Sequence, residues 1–250
     1  MPNSDPSTLH PSSYDSMKNG FVYVAYSSSS VSTAFSLNLI TSSSVIFSRS
    51  LRGIGLPLKK FHAIKLEIRI VGIDDGIFVP HSKGFAPVIG VVFRGGYWLD
   101  GVMSTKIEVD GFDATEKIAS MIKSSPHYKQ LRVIMLDGIT FAGFNVVDIK
   151  KLNAETKLPV IAVTRDKPNL EDIHKALKNL SSPKKRWKIV LNAGDIFKVN
   201  TGGKSERVYM EMCGILEEDA RKILKLTSTR SSVPEALRVA HLVASGIHNV

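Results

Sequence analysis

Aspartate followed by glycine ends two apolar runs in this chain, Arg69-Ile70-Val71-Gly72-Ile73-Asp74-Asp75-Gly76 and Arg132-Val133-Ile134-Met135-Leu136-Asp137-Gly138. Short, β-branched, nearly continuous apolar runs read as strands buried on both faces, and the C-terminal ends of such strands are where open α/β sheets present chemistry. The glycine lets the chain turn sharply and leaves the carboxylate uncovered. If the two strands are neighbours, like charges at about 4 Å in an effective dielectric near 20 repel by roughly 4 kcal/mol. A divalent cation relieves that repulsion, and hard oxygen ligands favour Mg²⁺ or Mn²⁺. Either motif alone is ordinary turn chemistry, but two copies, one with a doubled aspartate, favour a metal-holding cluster. Asp75 is read first as a cap of its own turn and second as a supporting group.

The elements that must position these groups follow from hydrophobic period and turn residues. Ile64 to Asp74 reads as a first strand, and Phe85 to Phe93 and Trp98 to Val109 as two more, joined by Arg94-Gly95-Gly96-Tyr97 into an antiparallel hairpin. Asp113 caps a helix from Ala114 to about Lys123, and the strand from Leu131 to Asp137 returns parallel to the first, so both Asp ends point the same way. A helix from about Asn145 to Thr156, a strand from Pro159 to Thr164 and a helix from Asn169 to Leu180 continue the alternation. Trp187 to Val199 reads as a hairpin, Val208 to Gly214 as a strand, and Glu217 to Leu226 and Pro234 to Ser245 as closing helices. The expected fold is α/β: a ribonuclease H-like mixed sheet, three antiparallel strands followed by parallel ones, flanked by helices.

Composition narrows the partner class. The chain has 250 residues, 33 Lys and Arg against 23 acidic residues, a net charge of +10 and a pI near 9.6, a field that attracts polyanions and makes nucleic acid, DNA or RNA, the leading partner. The lone Cys213 forms no intramolecular disulfide and fits a reducing, cytoplasmic setting. No apolar run is long enough to span a bilayer, so no membrane is expected. Residues 1–58, roughly a third serine over the first 50, read as a disordered extension, and residues 59–250 as one domain.

Other motifs are weaker. Lys184-Lys185-Arg186-Trp187-Lys188 suits single-strand binding, yet reads more readily as the polar start of a strand whose Trp is core. Gly202-Gly203-Lys204-Ser205 lacks the first glycine of a phosphate-binding loop and reads as a turn, and Gly53-Ile54-Gly55 lacks the third glycine of a dinucleotide fingerprint. The histidines show no zinc spacing, and His241, on an apolar helix, reads as a packing residue.

Val71 to Gly76, Phe93 to Gly101, Glu108-Val109-Asp110-Gly111-Phe112-Asp113-Ala114-Thr115, Leu136-Asp137-Gly138 and Val233 to His241 together resemble an archaeal family, domain of unknown function 99, over roughly Lys60 to the C-terminus. That family is in turn similar to endonuclease V, a metal-dependent nuclease of the ribonuclease H-like fold that cuts near deaminated bases. The resemblance implies that Asp74, Asp110 and Asp137 are catalytic metal ligands for Mg²⁺ or Mn²⁺, with Asp110 in place of a glutamate. Glu108, two residues away on the same strand face, is the reserve ligand.

Arg165 stands where that nuclease has a lysine, and Thr229, beside Arg230, where it has a histidine. Tyr97 and Trp98 are the nearest substitute for its strand-separating Pro and Tyr, or else an aromatic pair packing on the sheet. Arg165 and Lys167 follow the fifth strand at the carboxylate edge, so Arg165, Lys167, Tyr97, Trp98 and Arg230 are the candidate nucleic-acid contacts, with a solvated loop as the other reading of the two cations. Two functions follow: a divalent-metal-dependent nuclease-like protein acting on phosphodiesters, or a catalytically impaired nucleic-acid-binding module on the same fold.

Overall fold

In the computed structural model, the structure describes residues 58–202 and 207–247, within a compact unit that begins at Leu56. Up to residue 57 the serine-rich extension lies outside the described residues, as does most of the expected turn from Gly202 to Ser205.

Three strands come first, β1 (Arg69–Asp75), β2 (Phe85–Arg94) and β3 (Trp98–Glu108), followed by α1 (Ala114–Ser124) and β4 (Val133–Asp137). A two-stranded ribbon, β5 (Thr140–Phe141) and β6 (Asn145–Val146), leads to α2 (Ile149–Thr156), β7 (Val160–Thr164), α3 (Leu170–Leu177) and α4 (Pro183–Asn192). Then come β8 (Phe197–Asn200), β9 (Arg207–Cys213), α5 (Glu217–Thr227) and α6 (Glu235–Gly246). The main sheet has seven strands in the order β3-β2-β1-β4-β7-β9-β8. β1 pairs antiparallel with β2 and parallel with β4, β4 pairs parallel with β7, and β9 returns antiparallel. This is the expected ribonuclease H-like sheet, three antiparallel strands and then parallel ones, extended by an antiparallel pair at one edge.

Strand alternation divides the core in two. Val71, Ile73, Ile134 and Leu136 face the layer that includes Ile118 and Ile122 of α1 and Leu152 of α2. Ile70, Val133 and Met135 face Ile223 and Leu224 of α5 and Ala236, Ala240 and Ala244 of α6. Asp148 caps α2 by accepting from the N–H groups of Lys150 and Lys151, and Asn169 caps α3 by accepting from those of Glu171 and Asp172. Asp113, expected to cap α1, does not: its Oδ1 is taken by the Glu108 N–H at 3.1 Å and by Asn145 Nδ2 at 2.7 Å.

Three elements differ from expectation. The strand expected from Ile64 starts only at Arg69, because the chain turns at residues 66–67, where the Ile68 N–H donates to Lys65 O at 3.1 Å. The helix expected from Asn145 starts only at Ile149, because Asn145 and Val146 pair with Thr140 and Phe141 first. The hairpin expected over Trp187 to Val199 is instead α4 followed by β8. Pro183 at the first helical position and the buried pair Arg186 and Val190, four residues apart, give this segment a helical period that its β-branched residues obscure. Trp187 stacks on His174 with ring centroids 4.5 Å apart.

Glu211 in β9 is buried, opposite Ala162 of β7, and desolvation pushes its carboxyl from 4.5 up to about 7. Between those two values the folded chain binds more protons than the unfolded chain, so Glu211 removes stability as pH rises through that window and the loss stays constant above it. Glu211→Gln is expected to raise stability at pH 8 by up to about 3 kcal/mol and to leave it little changed at pH 4, as read by urea unfolding at both values.

Candidate metal centre

β1 and β4 are hydrogen-bonded neighbours in parallel register, Ile73 beside Leu136, which sets Asp74 and Asp137 at the same height at the C-terminal rim. Alternation turns both side chains to the face covered by α6. There His241 Nδ1 lies 2.8 Å from Asp74 Oδ2, and Asp74, Asp137 and His241 each offer a ligand atom within 4.8 Å of the others. Asp74 Oδ1 accepts the N–H of Asp75 at 2.9 Å, which fixes the carboxylate at the strand end.

The helix that delivers His241 is positioned by small residues. Ala236, Ala240 and Ala244, all fully buried, recur at four-residue spacing and face β1. A Cβ on Gly72 would lie 2.7 Å from Leu237 N, and one on Gly76 would lie 2.8 Å from Ala244 O. Eight helical residues span about 12 Å and four strand residues about 13 Å, so the two small-residue repeats match in length and the helix lies directly on the strand.

Electrostatically the rim is over-supplied with negative charge. Desolvation, and then the Asp74 charge, raise the Asp137 carboxyl well above the ordinary carboxylate range, while His241 and Arg165 oppose the shift. His241 is raised, chiefly by its hydrogen bond to Asp74. Asp75 is likewise raised by desolvation and then by Asp74. Two adjacent carboxylates and an imidazole, with a carboxylate disfavoured as an anion, are the donor set and charge state that a divalent cation completes. The imidazole extends the all-oxygen set expected from the sequence.

Asp110 is placed differently. It sits at φ 52°, its Oδ1 accepts the N–H of Phe144 at 2.9 Å, and His81 Nδ1 lies 3.5 Å from its Oδ2. Asp75, turned to the opposite face from Asp74, accepts the N–H of Ala142 at 2.7 Å. Both carboxylates thus hold the loop between β5 and β6, and Asp110 is outside the Asp74, Asp137 and His241 group. Arg186, fully buried, pins the same region by donating to the carbonyls of Asp110, Gly111 and Phe144. The basic run at 184–188 therefore contributes its arginine to a structural clamp. Glu108 is exposed at the end of β3.

Arg165 follows β7 on the carboxylate rim, close enough to act on both Asp137 and His241, with Lys167 exposed in the same loop. Tyr97, Trp98 and Arg230 are not brought there. Arg94 pairs with Arg69 at the start of β1, so the exposed Tyr97 and Trp98 lie at the opposite end of the sheet, about 20 Å from Asp74. The hydroxyl of Thr229 donates to Gly96 O at 2.9 Å, beside that same turn, and Arg230 pairs with the buried Glu235 at 3.2 Å. His241, read from the sequence as a packing residue, is the group that meets the aspartates, and Thr229 is not. The signal for it was the match between the Ala236, Ala240, Ala244 repeat and the Gly72, Gly76 spacing.

Comparison with known proteins covers the larger part of the chain. The family model described as endonuclease dU matches residues 66–248. A UPF0215 protein of Methanosarcina mazei is 52% identical over 187 residues, covering 75% of this chain and 93% of its own. A crystal structure of a protein of unknown function from Archaeoglobus fulgidus is 38% identical, covers 71% of this chain and 96% of that one, and gives a TM-score of 0.63. Endonuclease V of Ciona intestinalis, in complex with a 24mer DNA containing an inosine followed by a ribo-adenosine, is a remoter likeness, 14% identical over 71% of this chain and 84% of that one with a TM-score of 0.47. By this match over most of its length, the chain belongs to the endonuclease dU family.

Proposed function

We propose that this protein is a divalent-metal-dependent endonuclease that hydrolyses nucleic-acid phosphodiesters. The observation that carries the reading is the convergence of Asp74, Asp137 and His241 within 4.8 Å at the C-terminal rim of two adjacent parallel strands. Asp74 and Asp137 would hold the cation, and Asp74 orients the His241 imidazole through Nδ1, leaving Nε2 as its second nitrogen for cation or substrate. A bound cation supplies Lewis-acid stabilisation of phosphoryl charge and lowers the pKa of a water. Arg165 contributes a fixed positive charge that accepts no proton, suited to gripping a phosphate oxygen, with Lys167 beside it. Asp110 and Asp75 hold the loop that flanks the rim. The net charge of +10 draws a polyanion to it.

The family description puts deoxyuridine-containing DNA first among substrates, with inosine-containing DNA and RNA next. The test is cleavage of such strands, single and duplex, beside undamaged controls. Strand scission that requires Mn²⁺ or Mg²⁺ and stops on chelation is expected. Intact strands at saturating Mn²⁺, despite salt-sensitive binding, would overturn the hydrolytic reading and leave a binding module.

A further inference from the structure

The loop that leaves the carboxylate rim carries large apolar side chains in solvent. Ile77 and Val79, between β1 and β2, and Phe85, the first residue of β2, are 53%, 68% and 62% exposed. The loop is nonetheless anchored: Phe78 packs on the core, the Ser82 N–H donates to Val79 O at 3.3 Å, and the Val109 N–H donates to Gly84 O at 2.9 Å. Its apolar side chains are therefore displayed on a fixed frame.

Position relative to the rim is set by register. Ile89 of β2 is the partner of Asp74, and Phe85 lies four residues further along the same strand. Alternation puts Phe85 on the sheet face of Asp74, roughly 14 Å from that pairing at about 3.4 Å per residue, a distance spanned by a few nucleotides. Lys83 is exposed in the loop itself, and Arg165 and Lys167 are exposed on the same rim. An aromatic ring flanked by aliphatic side chains and interleaved with cations beside a phosphate-seeking centre has the chemistry that single strands use, a base face stacked on the ring of Phe85, its edge against Ile77 and Val79, and phosphates on lysine and arginine. A second copy of the chain is a poorer fit, because stable dimers bury about 800 Å² per partner and three side chains of one loop supply much less.

We infer that Ile77, Val79 and Phe85 form a stacking surface for the unpaired bases of a nucleic-acid strand whose backbone crosses the Asp74 and Asp137 rim, an inference that rests on reading that rim as a phosphodiester site. The surface is insensitive to base identity in its stacking, so it selects unpaired over paired strands rather than one base over another.

The test is fluorescence anisotropy of a labelled single-stranded DNA oligonucleotide with the full chain in EDTA, where no cleavage occurs. Val79→Ser combined with Phe85→Ser is expected to weaken binding about tenfold with an unchanged salt slope, whereas Lys83→Ala is expected to lower that slope by about 0.7. Phe85→Trp is expected to retain affinity, and its emission should be quenched by the oligonucleotide. Affinity of the double serine variant within twofold of the parent would overturn the inference, as would a change in its oligomeric state with affinity intact. Metal-dependent cleavage alongside unchanged affinity would sink the stacking surface and keep the nuclease. Weakened binding by the double serine variant of a parent chain that never cleaves would do the reverse.

Discussion

Asp137→Asn is expected to abolish Mn²⁺ binding at the rim and to slow strand scission on the order of 10³-fold or more, while the folded protein becomes more stable. The two effects have one cause. Asp137 is desolvated and faces the Asp74 charge, so its anion is unfavourable in the metal-free protein. Asparagine keeps the shape and removes the charge, which relieves the repulsion and takes away the oxygen anion that a cation needs. Activity bought by a strained carboxylate pair is a common source of opposed changes in stability and function. Calorimetric titration with Mn²⁺ and a thermal melt of the same preparation read both signs. A variant that binds Mn²⁺ like the parent, or melts lower without it, would show that Asp137 is a structural residue.

His241→Ala removes the group that offsets the carboxylates and should weaken Mn²⁺ binding without the gain in stability. Because protons raise both His241 and Asp137 out of their ligand forms, Mn²⁺ affinity of the parent should climb with pH. A flat profile would place the cation elsewhere.

The sheet was legible because its information is local. Asp-Gly after an apolar run and the Arg94-Gly95-Gly96-Tyr97 turn each act over a few residues, and crossover handedness does the rest. The pairing of Asp74 with Asp137 followed from that topology. His241 was not legible in the same way, since its role depends on how α6 lies against β1, a contact between segments about 165 residues apart that is set by glycine and alanine rather than by a polar motif. Tyr97 and Trp98 lie away from the rim for the opposite reason: their types suit nucleic acid, but type carries no position, and the antiparallel hairpin sends them to the far end of the strands. Asp110 was assigned to the rim by resemblance, yet its left-handed backbone conformation and its bond to Phe144 are tertiary consequences of the β5 and β6 ribbon.

Gly72→Ala should be among the most damaging single-methyl additions available to this chain. A Cβ there overlaps the Ala236 carbonyl group and comes within 2.7 Å of Leu237 N, all backbone atoms at the start of α6, so no side-chain rotation relieves it. Overpacking of this kind costs about 3 kcal/mol, which for a domain of this size lowers the thermal midpoint by roughly 6–12 °C. Gly90→Ala is the internal control: its Cβ would meet Met103 Cγ at 2.7 Å, the stem of a flexible side chain that can move aside, and about 1 kcal/mol is expected. The shift at Gly72 also reaches the metal centre, because the same helix carries His241 one and a half turns on from the contact. Lifting α6 away from β1 draws the imidazole off Asp74, and Mn²⁺ affinity should fall about tenfold, a loss that Gly90→Ala does not share. Since the clash is with main chain, adding Ala236→Gly cannot rescue it. Recovery of the melting point or of Mn²⁺ binding in that double variant would mean that side chains, not the backbone seat of α6 on β1, set the height of His241 above the carboxylates.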